Sequence, residues 1–246
     1  ILFEHFYANG FQTMHGQLAT LCGLYPNPGV AVFRHFFQNQ LHCLPTQLVH
    51  QGYDTAWIHA GSGNFDNQAV FLAKNGFQCI ISDLDFSPEL EKLTWGYADH
   101  DLMKKAVSVM REQKPPFFSM ILTTTNHHPH QLPQDYNPTQ EDFVKGEATV
   151  RYTDYALGLF FDWVEQEDFF QNTLFLITSD TGSSLLSSNQ PIADPLQMPN
   201  ERIPLLLYWK EAPRVIVDPR IASQVDIASS LADILELDKV NHFVGR

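Results

Sequence analysis

The stretch LFLITSDTGSSL, residues 174–185, sets the expected fold of this 246-residue chain. Its apolar run Leu174–Thr178 is typical of a buried strand, and it ends abruptly at Ser179-Asp180-Thr181-Gly182. A strand that ends in this way delivers a carboxylate to the edge of a sheet. Asp180 is equally suited to cap the turn that follows. The stretch alone therefore leaves both interpretations open, a ligand or a cap.

Two further strand-like runs end in polar sequences of the same kind. Thr55–His59 continues into Ala-Gly-Ser-Gly-Asn64, and Phe117–Thr123 is followed by Thr-Thr-Asn-His127-His-Pro. Helix-like segments alternate with these runs, which is typical of an α/β domain around a mostly parallel sheet. Ligands sit beyond the carboxyl ends of the strands in such sheets. We therefore expect the three polar strand ends to converge on one site.

Composition bounds the class of protein and of partner. The chain is 44% hydrophobic and 17% charged, which fits a globular protein with a substantial core. Its formal charge is −13, which argues against nucleic-acid binding because a phosphate backbone needs a basic face. An anionic substrate stays open, since a bound metal can supply positive charge locally. No apolar run approaches the roughly 20 residues of a membrane span.

Thr13 is a candidate nucleophile at the start of a predicted helix. It lies in Gly10-Phe-Gln-Thr13-Met-His-Gly16, where a threonine can also simply cap the helix. A threonine hydroxyl is inert near neutral pH unless a base or a metal activates it. A helix N-terminus favours the alkoxide and binds phosphate oxygens. Both roles are therefore consistent with the local sequence.

His59 and His127 are candidate binding residues, and each has an alternative role. His59 opens a Gly-rich turn that either presents backbone N–H groups to an anion or only reverses the chain. His127 belongs to a histidine cluster that is equally consistent with an exposed surface. The chain contains no G-x-S-x-G elbow, no Walker-type loop and no H-E-x-x-H motif, so those classes of enzyme are disfavoured.

Together these residues resemble a known family. The stretch from Thr13 to Pro26, TMHGQLATLCGLYP, resembles the sulfatase signature C/S-x-P-S-R-x-x-x-L-x-T-G-x-x-P. The chain thus resembles the sulfatase-type branch of the alkaline phosphatase superfamily, and within it the lipoteichoic acid synthases and related phosphoglycerol transferases. Further blocks of resemblance follow in the same order: Cys43–His59, Gly63–Asn67, Trp95–Asp99, Pro116–Pro129, Arg151–Ala156, Asn172–Asp180, Arg202–Tyr208 and Ser223–Ala228. Thr13 replaces the cysteine or serine that sulfatases convert to formylglycine, and Gln17 replaces their arginine, so the resemblance implies chemistry other than that of true sulfatases.

The resemblance also implies a metal site and a nucleophile. One divalent cation, typically manganese, would be held by a glutamate, by Thr13, by Asp180 and by a histidine. This chain carries Asp180-Thr181-Gly182 where the family has Asp-His-Gly, so Thr181 stands at the position of the metal histidine. Thr13 would attack a phospholipid head group, and His59, Asn64 and His127 would bind the substrate.

Three functions follow from the resemblance. The first is metal-dependent transfer or hydrolysis of a phosphoryl group on an anionic envelope lipid or glycan, through a threonine nucleophile. The second is a non-catalytic relative that binds an anionic envelope ligand or a partner, because Thr181 replaces the metal histidine. The third is a hydrolase of the sulfatase or phosphodiesterase type.

The resemblance finally implies a domain organisation and a location. Residues 1–246 would form a single sulfatase-like catalytic domain, truncated at both ends and lacking the strand with the metal glutamate and N-terminal membrane helices. The resemblance implies that such a domain would lie on the periplasmic or extracellular side of the bacterial cell membrane. In that oxidising compartment we expect a Cys22–Cys43 disulfide, with Cys79 left as a buried thiol.

Overall fold

The computed structural model describes most of the chain, in two compact units. The described residues are 1–27, 29–139, 147–182, 196, 198–212, 214–237 and 243–245. Unit 1 comprises Ile1–Gln47 together with Gln171–Arg246, and unit 2 comprises Leu48–Phe170. Unit 2 is therefore one continuous stretch of chain, whereas unit 1 is assembled from two separate stretches.

The described residues form seven strands and seven α-helices. The strands are β1 Leu2–Tyr7, β2 Asp54–His59, β3 Cys79–Ile81, β4 Phe117–Leu122, β5 Phe175–Thr178, β6 Leu205–Tyr208 and β7 Val217–Ser223. The helices are α1 Thr13–Cys22, α2 Val32–His35, α3 Leu44–His50, α4 Gln68–Lys74, α5 Asp99–Glu112, α6 Ala148–Val164 and α7 Val225–Ile234. In this part of the chain, none of the helices has the length and apolar composition that a membrane span requires.

Unit 1 contains a four-stranded mixed sheet in the order β5-β6-β1-β7. β1 runs parallel to β7 and antiparallel to β6, and β6 runs antiparallel to β5. A hydrophobic cluster covers this sheet, and its buried members are Phe6, Ala8, Ile203, Leu205 and Ile227. Ile227 belongs to α7, which also packs against α1. The sheet and these two helices thus hold the segments before Thr13 and after Thr178 in place.

Unit 2 contains a three-stranded, wholly parallel sheet in the order β3-β2-β4. The central strand β2 is buried from Thr55 to His59, because strands of a parallel sheet are covered on both faces, and its middle residues Ala56-Trp57-Ile58 are apolar. His59 pairs with Leu122 across the ladder. β2 and β4 therefore end side by side, at the same edge of the sheet.

The predicted α/β class, with a mostly parallel sheet and flanking helices, is confirmed. Three of the five strand pairings are parallel. The three strands on which the sequence argument depended are present as β2, β4 and β5, each within one residue of its predicted bounds at either end. β1 and β7 were not predicted. The single-domain organisation of residues 1–246 remains a prediction.

The expected disulfide is present in unit 1. Cys22 and Cys43 are bonded, which joins the last residue of α1 to the residue before α3. Cys79 is a free thiol, as expected, but it is half-buried rather than buried. Its position on the short strand β3 leaves part of the side chain in solvent.

Candidate functional site

Thr13 is the first residue of α1, and it does not cap the helix. The N-cap position is occupied by Gln12, with φ −131° and ψ 147°, and no side chain there bonds to the helix. The first turn carries no acidic residue, so the partial positive charge of this helix end is available to an anion. Within the described residues the half-buried Thr13 hydroxyl makes no hydrogen bond. The capping interpretation of Thr13 was therefore wrong.

Gly16 brings the Asp180 corner, which is the segment of residues 179–182 after β5, to the face of α1 that carries Thr13. A Cβ atom on Gly16 would lie 2.1 Å from the carbonyl oxygen of Asp180, so the two backbones touch. Residues three apart in a helix share a face, and Thr13 lies three residues before Gly16. The structure therefore places Thr13 and Asp180 in one neighbourhood of unit 1.

Gln224 fixes the backbone of this corner, and sequence reasoning missed it. The residue is fully buried. Its Nε2 donates to the carbonyl oxygens of Ser179 at 2.9 Å and Asp180 at 2.7 Å. Its Oε1 accepts from the backbone N–H of Asn9 at 2.8 Å, and Asn9 Oδ1 in turn accepts from Val225 N–H at 3.0 Å. One amide thus ties the end of β5 to the segments that follow β1 and β7.

The residues at this corner do not complete a metal site. Its only described charged donor is the Asp180 carboxylate, which makes no hydrogen bond or ion pair with described residues. Thr13 and Thr181 add neutral hydroxyl groups, which bind divalent cations less well than a carboxylate or an imidazole. Throughout the described ranges, no group of three or more His, Cys, Asp or Glu side chains is arranged to hold a metal ion. We therefore derive no chemical step through a metal.

His59 is held in one tautomer at the end of β2. The residue is buried, its ring lies 5.1 Å from the ring of Trp57, and its Nδ1–H donates to Leu122 O at 2.9 Å. Because a carbonyl can only accept, Nδ1 carries the proton and the neutral ring has its lone pair on Nε2. A Cβ atom on Gly61 would lie 2.6 Å from that Nε2, so only a glycine lets the turn pass the ring so closely.

His127 lies on the exposed segment after β4. Its Nδ1–H donates to His128 O at 2.8 Å, and its ring lies 4.5 Å from the ring of Trp95. Trp95 is itself anchored, because its Nε1–H also donates to His128 O, at 2.6 Å. Phe65 packs edge-on against Trp95 at 5.7 Å, next to the exposed Asn64. Trp95 thus lies between the exposed His127 ring and the partly exposed ring of Phe65 in this chain of ring contacts.

The predicted site residues fall in both units. Unit 1 holds Thr13, Asp180 and Thr181, and the structure brings Thr13 together with Asp180 through Gly16. Unit 2 holds the three predicted substrate-binding residues His59, Asn64 and His127. The adjacent parallel strands β2 and β4 bring the His59 and His127 segments to one sheet edge, as the sequence predicted for these two strand ends. The third strand end, after β5, belongs to the other sheet, and convergence of all three ends on one site stays a prediction. Asn64 follows His59 by five residues, in the same turn.

Comparison with known families identifies the family of this chain. A family model described as Sulfatase matches residues 1–237. The chain belongs to the sulfatase family. Among its curated relatives in this family is the lipoteichoic acid synthase-like protein YvgJ of Bacillus subtilis, which is 24% identical over 259 residues. That match covers 96% of this chain and 42% of YvgJ, so the chain spans less than half of that relative.

Solved structures show the same sulfatase-family fold. A protein of the alkaline phosphatase superfamily from Vibrio parahaemolyticus is 29% identical, with a TM-score of 0.84, over all of this chain and 60% of that one. The lipoteichoic acid synthase LtaP from Listeria monocytogenes is 18% identical, with a TM-score of 0.87, over all of this chain and 66% of LtaP. These findings confirm the predicted placement in the sulfatase-type branch, close to the lipoteichoic acid synthases.

Proposed function

We propose that this domain transfers or hydrolyses a phosphoryl group of an anionic envelope lipid or glycan, with Thr13 as nucleophile. Membership of the sulfatase family, with lipoteichoic acid synthase relatives, supports phosphoryl- or sulfate-group transfer or hydrolysis at the family level. One observation carries the more specific proposal: Thr13 begins α1 uncapped, and Gly16 lets the Asp180 corner reach the same helix face. The chain spans less than half of its relative YvgJ, and the proposal therefore concerns the activity of the whole protein.

The chemistry assigned to Thr13 is a double displacement. Thr13 Oγ1 gives up its proton and attacks phosphorus while the bond from phosphorus to the leaving alkoxide breaks, and the departing oxygen takes up a proton. A second alcohol, or water, then displaces Thr13 and regenerates its hydroxyl. The uncapped N–H groups and the dipole of α1 stabilise negative charge on the phosphoryl oxygens. His59, Asn64 and His127 are proposed to bind the phosphoryl group or the leaving group, as the resemblance implies.

The proposal includes a divalent cation only as a candidate activator of a hydroxyl group. Members of the superfamily generally use a divalent metal, and manganese is the ion that we propose to test first. It would supply Lewis-acid activation of a hydroxyl when bound. Asp180 and Thr13 are the proposed ligands, with Thr181 at the position of the family's histidine. The described donors do not complete such a site, so no step is routed through the cation, and the dependence of turnover on manganese tests whether a metal activates the Thr13 hydroxyl.

One observation favours the non-catalytic alternative. Thr181 adds a neutral hydroxyl where the resemblance places an imidazole, and its carbonyl accepts from Ser179 Oγ at 2.7 Å. A protein with this corner can keep the fold and bind an anionic envelope ligand or a partner without turnover. For the third candidate, a sulfatase or phosphodiesterase activity, the buried Gln17 at the position of the sulfatase arginine disfavours the sulfatase activity.

We also propose a location outside the cytoplasm. The Cys22–Cys43 disulfide supports an oxidising compartment. The resemblance implies attachment to the bacterial cell membrane, with this domain on the periplasmic or extracellular side. The proposed partners are therefore phospholipid head groups or envelope glycans, and the strongly acidic composition argues against nucleic acid.

The deciding experiment measures release of glycerol phosphate from a phosphatidylglycerol analogue by the full-length protein, with and without manganese. We expect turnover and a phosphoryl adduct on Thr13 by mass spectrometry. Thr13→Ala should abolish both, whereas Thr20→Ala on the same helix should leave both unchanged. If the wild-type protein neither turns over the analogue nor acquires the adduct, while Thr181→His does, the activity has been lost with the ligand and the non-catalytic alternative holds.

A further inference from the structure

We propose that Asp99 is a positioning residue whose buried carboxylate holds the segment that carries His127. The hydrogen bonds that Asp99 makes to this segment do not depend on the proposed function. The effect of Asp99 on catalysis rests on the proposed function, because His127 is a substrate-binding residue only within that proposal.

The Asp99 carboxylate joins three parts of unit 2. Asp99 is the first residue of α5 and has no exposed surface. Its Oδ1 accepts from the backbone N–H groups of Thr124 at 2.9 Å and Thr125 at 3.1 Å. Its Oδ2 accepts from Thr153 Oγ1 on α6 at 3.1 Å. In the opposite direction, Asp99 N–H donates to Thr125 Oγ1 at 3.3 Å.

These bonds replace partners that the sheet does not supply. β4 ends at Leu122, so the N–H groups of Thr124 and Thr125 lie beyond the last residue of the strand. Buried N–H groups need an acceptor, and a buried carboxylate needs hydrogen-bond donors. The N-terminal end of α5 adds favourable dipole interaction with the same charge. The Asp99 carboxylate and the backbone N–H groups of Thr124 and Thr125 thus satisfy each other's hydrogen-bonding capacity just beyond the end of β4.

A second contact fixes the other end of the same segment. Trp95 lies four residues before Asp99, donates from Nε1 to His128 O at 2.6 Å, and packs its ring against that of His127. Thr124 Oγ1 also donates to Tyr97 O at 3.2 Å. The stretch from Trp95 to Asp99 therefore holds residues 124–128 at both ends. A small cleft lined by Trp95, His127 and the two threonines lies between the holding points.

Two substitutions of Asp99 distinguish the loss of its hydrogen bonds from the loss of its charge. Asp99→Asn keeps a carbonyl oxygen for the two backbone N–H groups, and its amide can donate to Thr153 Oγ1, so we expect the segment to stay in place. Asp99→Ala removes every acceptor, so we expect the segment to be released. Leu102→Ala is the matched control, because Leu102 is fully buried on the same helix but makes none of these hydrogen bonds.

The test is nuclear magnetic resonance on the folded protein, with two readouts that do not depend on activity. Amide exchange at Thr124 and Thr125 should be as slow as inside β4, and the His127 imidazole signal should carry a ring-current shift from Trp95. His127→Gln assigns that signal, and Trp95→Phe gives its position without the indole. In Asp99→Ala we expect exchange on the order of 100-fold faster, since hydrogen bonds to a charged acceptor are lost, and a His127 signal near its Trp95→Phe position. Asp99→Asn should resemble wild type.

Several outcomes would overturn the proposal. Fast exchange of both amides in the wild-type protein would do so even if Asp99→Ala fails to fold. A His127 signal that moves as far in Leu102→Ala as in Asp99→Ala would show general destabilisation instead of positioning. In an active protein, Asp99→Ala should lower kcat as much as His127→Gln does, with no further loss in the double variant. If the wild type shows no turnover, the proposed function falls, whereas the resonance measurements still decide the role of Asp99.

Discussion

A single side-chain atom at Gly16 would separate two elements of unit 1. Its Cβ would lie 2.1 Å from the carbonyl oxygen of Asp180, a backbone atom that cannot rotate away. We therefore expect Gly16→Ala to lower the free energy of unfolding by about 1–3 kcal/mol, although alanine is the better helix former. Urea denaturation, followed by circular dichroism, measures the change.

Gly158 supplies the matched control for that substitution. It also lies within a helix, α6, but no heavy atom would meet its Cβ within 4 Å. Gly158→Ala should therefore raise the free energy of unfolding by about 0.5–1 kcal/mol, since glycine is unfavourable inside a helix. Equal stability of the two variants would contradict the close contact between α1 and Asp180.

We expect the Cys79 thiol to react slowly with alkylating reagents. Burial raises its pKa above the ordinary value of 9.0, and the carboxylates of Asp54 and Asp85 raise it further. Because only the thiolate reacts, alkylation by iodoacetamide near pH 7.5 should be slower than in the unfolded chain, and its rate should still increase above pH 9. Asp54→Asn should shift this profile to lower pH. A rate that levels off below pH 9 would contradict the assigned environment.

At the scale of elements, Gln224 determines how β5 ends. Gln224→Leu would leave the carbonyl groups of Ser179 and Asp180 and the N–H of Asn9 without this partner. We expect the free energy of unfolding to fall by about 2–4 kcal/mol, because each buried unsatisfied group costs about 1–3 kcal/mol. The exposed Gln166 provides the comparison, and Gln166→Leu should change stability by less than about 0.5 kcal/mol. A small effect at Gln224 would mean that other groups hold the corner.

The sequence revealed those elements whose pattern is local. β2, β4 and β5 were predictable because each is a short, mostly apolar run followed by polar residues. β1 places Glu4 and His5 between apolar pairs, and β7 contains Pro219 between two charged residues, a composition confined to edge strands. No simple period marks either one as a strand, so both were missed.

The residues of the candidate site also fall into those that the sequence predicted and those that it missed. Thr13 and Asp180 were found because each lies where a helix begins or a strand ends. Gln224 and Asp99 were not, since their bonding partners Asp180 and Thr124 lie 44 and 25 residues away in the chain. Hydrophobic periodicity reports on neighbours within one element, and it carries no information about which distant backbone groups a buried side chain will satisfy.

At the scale of the whole molecule, the disulfide predicts how many thiols are titratable. The chain has three cysteines and one bond, so we expect one thiol in the unfolded, unreduced protein and three after reduction. The bond closes a loop with a sequence separation of 21. Its reduction should therefore lower the free energy of unfolding by about 3 kcal/mol, mainly by releasing the unfolded chain. Three thiols without reductant would contradict the bond, and Cys79→Ser should remove one thiol in either state.

The two-part construction of unit 1 has a consequence for biosynthesis. β1 lies between β6 and β7, and the backbone nitrogen of Ile1 donates to Leu207 O, 206 residues later. At 5–20 residues per second, a ribosome needs about 10–40 s to deliver those partners, whereas unit 2 is complete once Phe170 has emerged. Throughout that interval both edges of β1 are unpaired and able to bind strands of other nascent chains. Slower translation after Phe170 should therefore increase aggregation of the newly made protein.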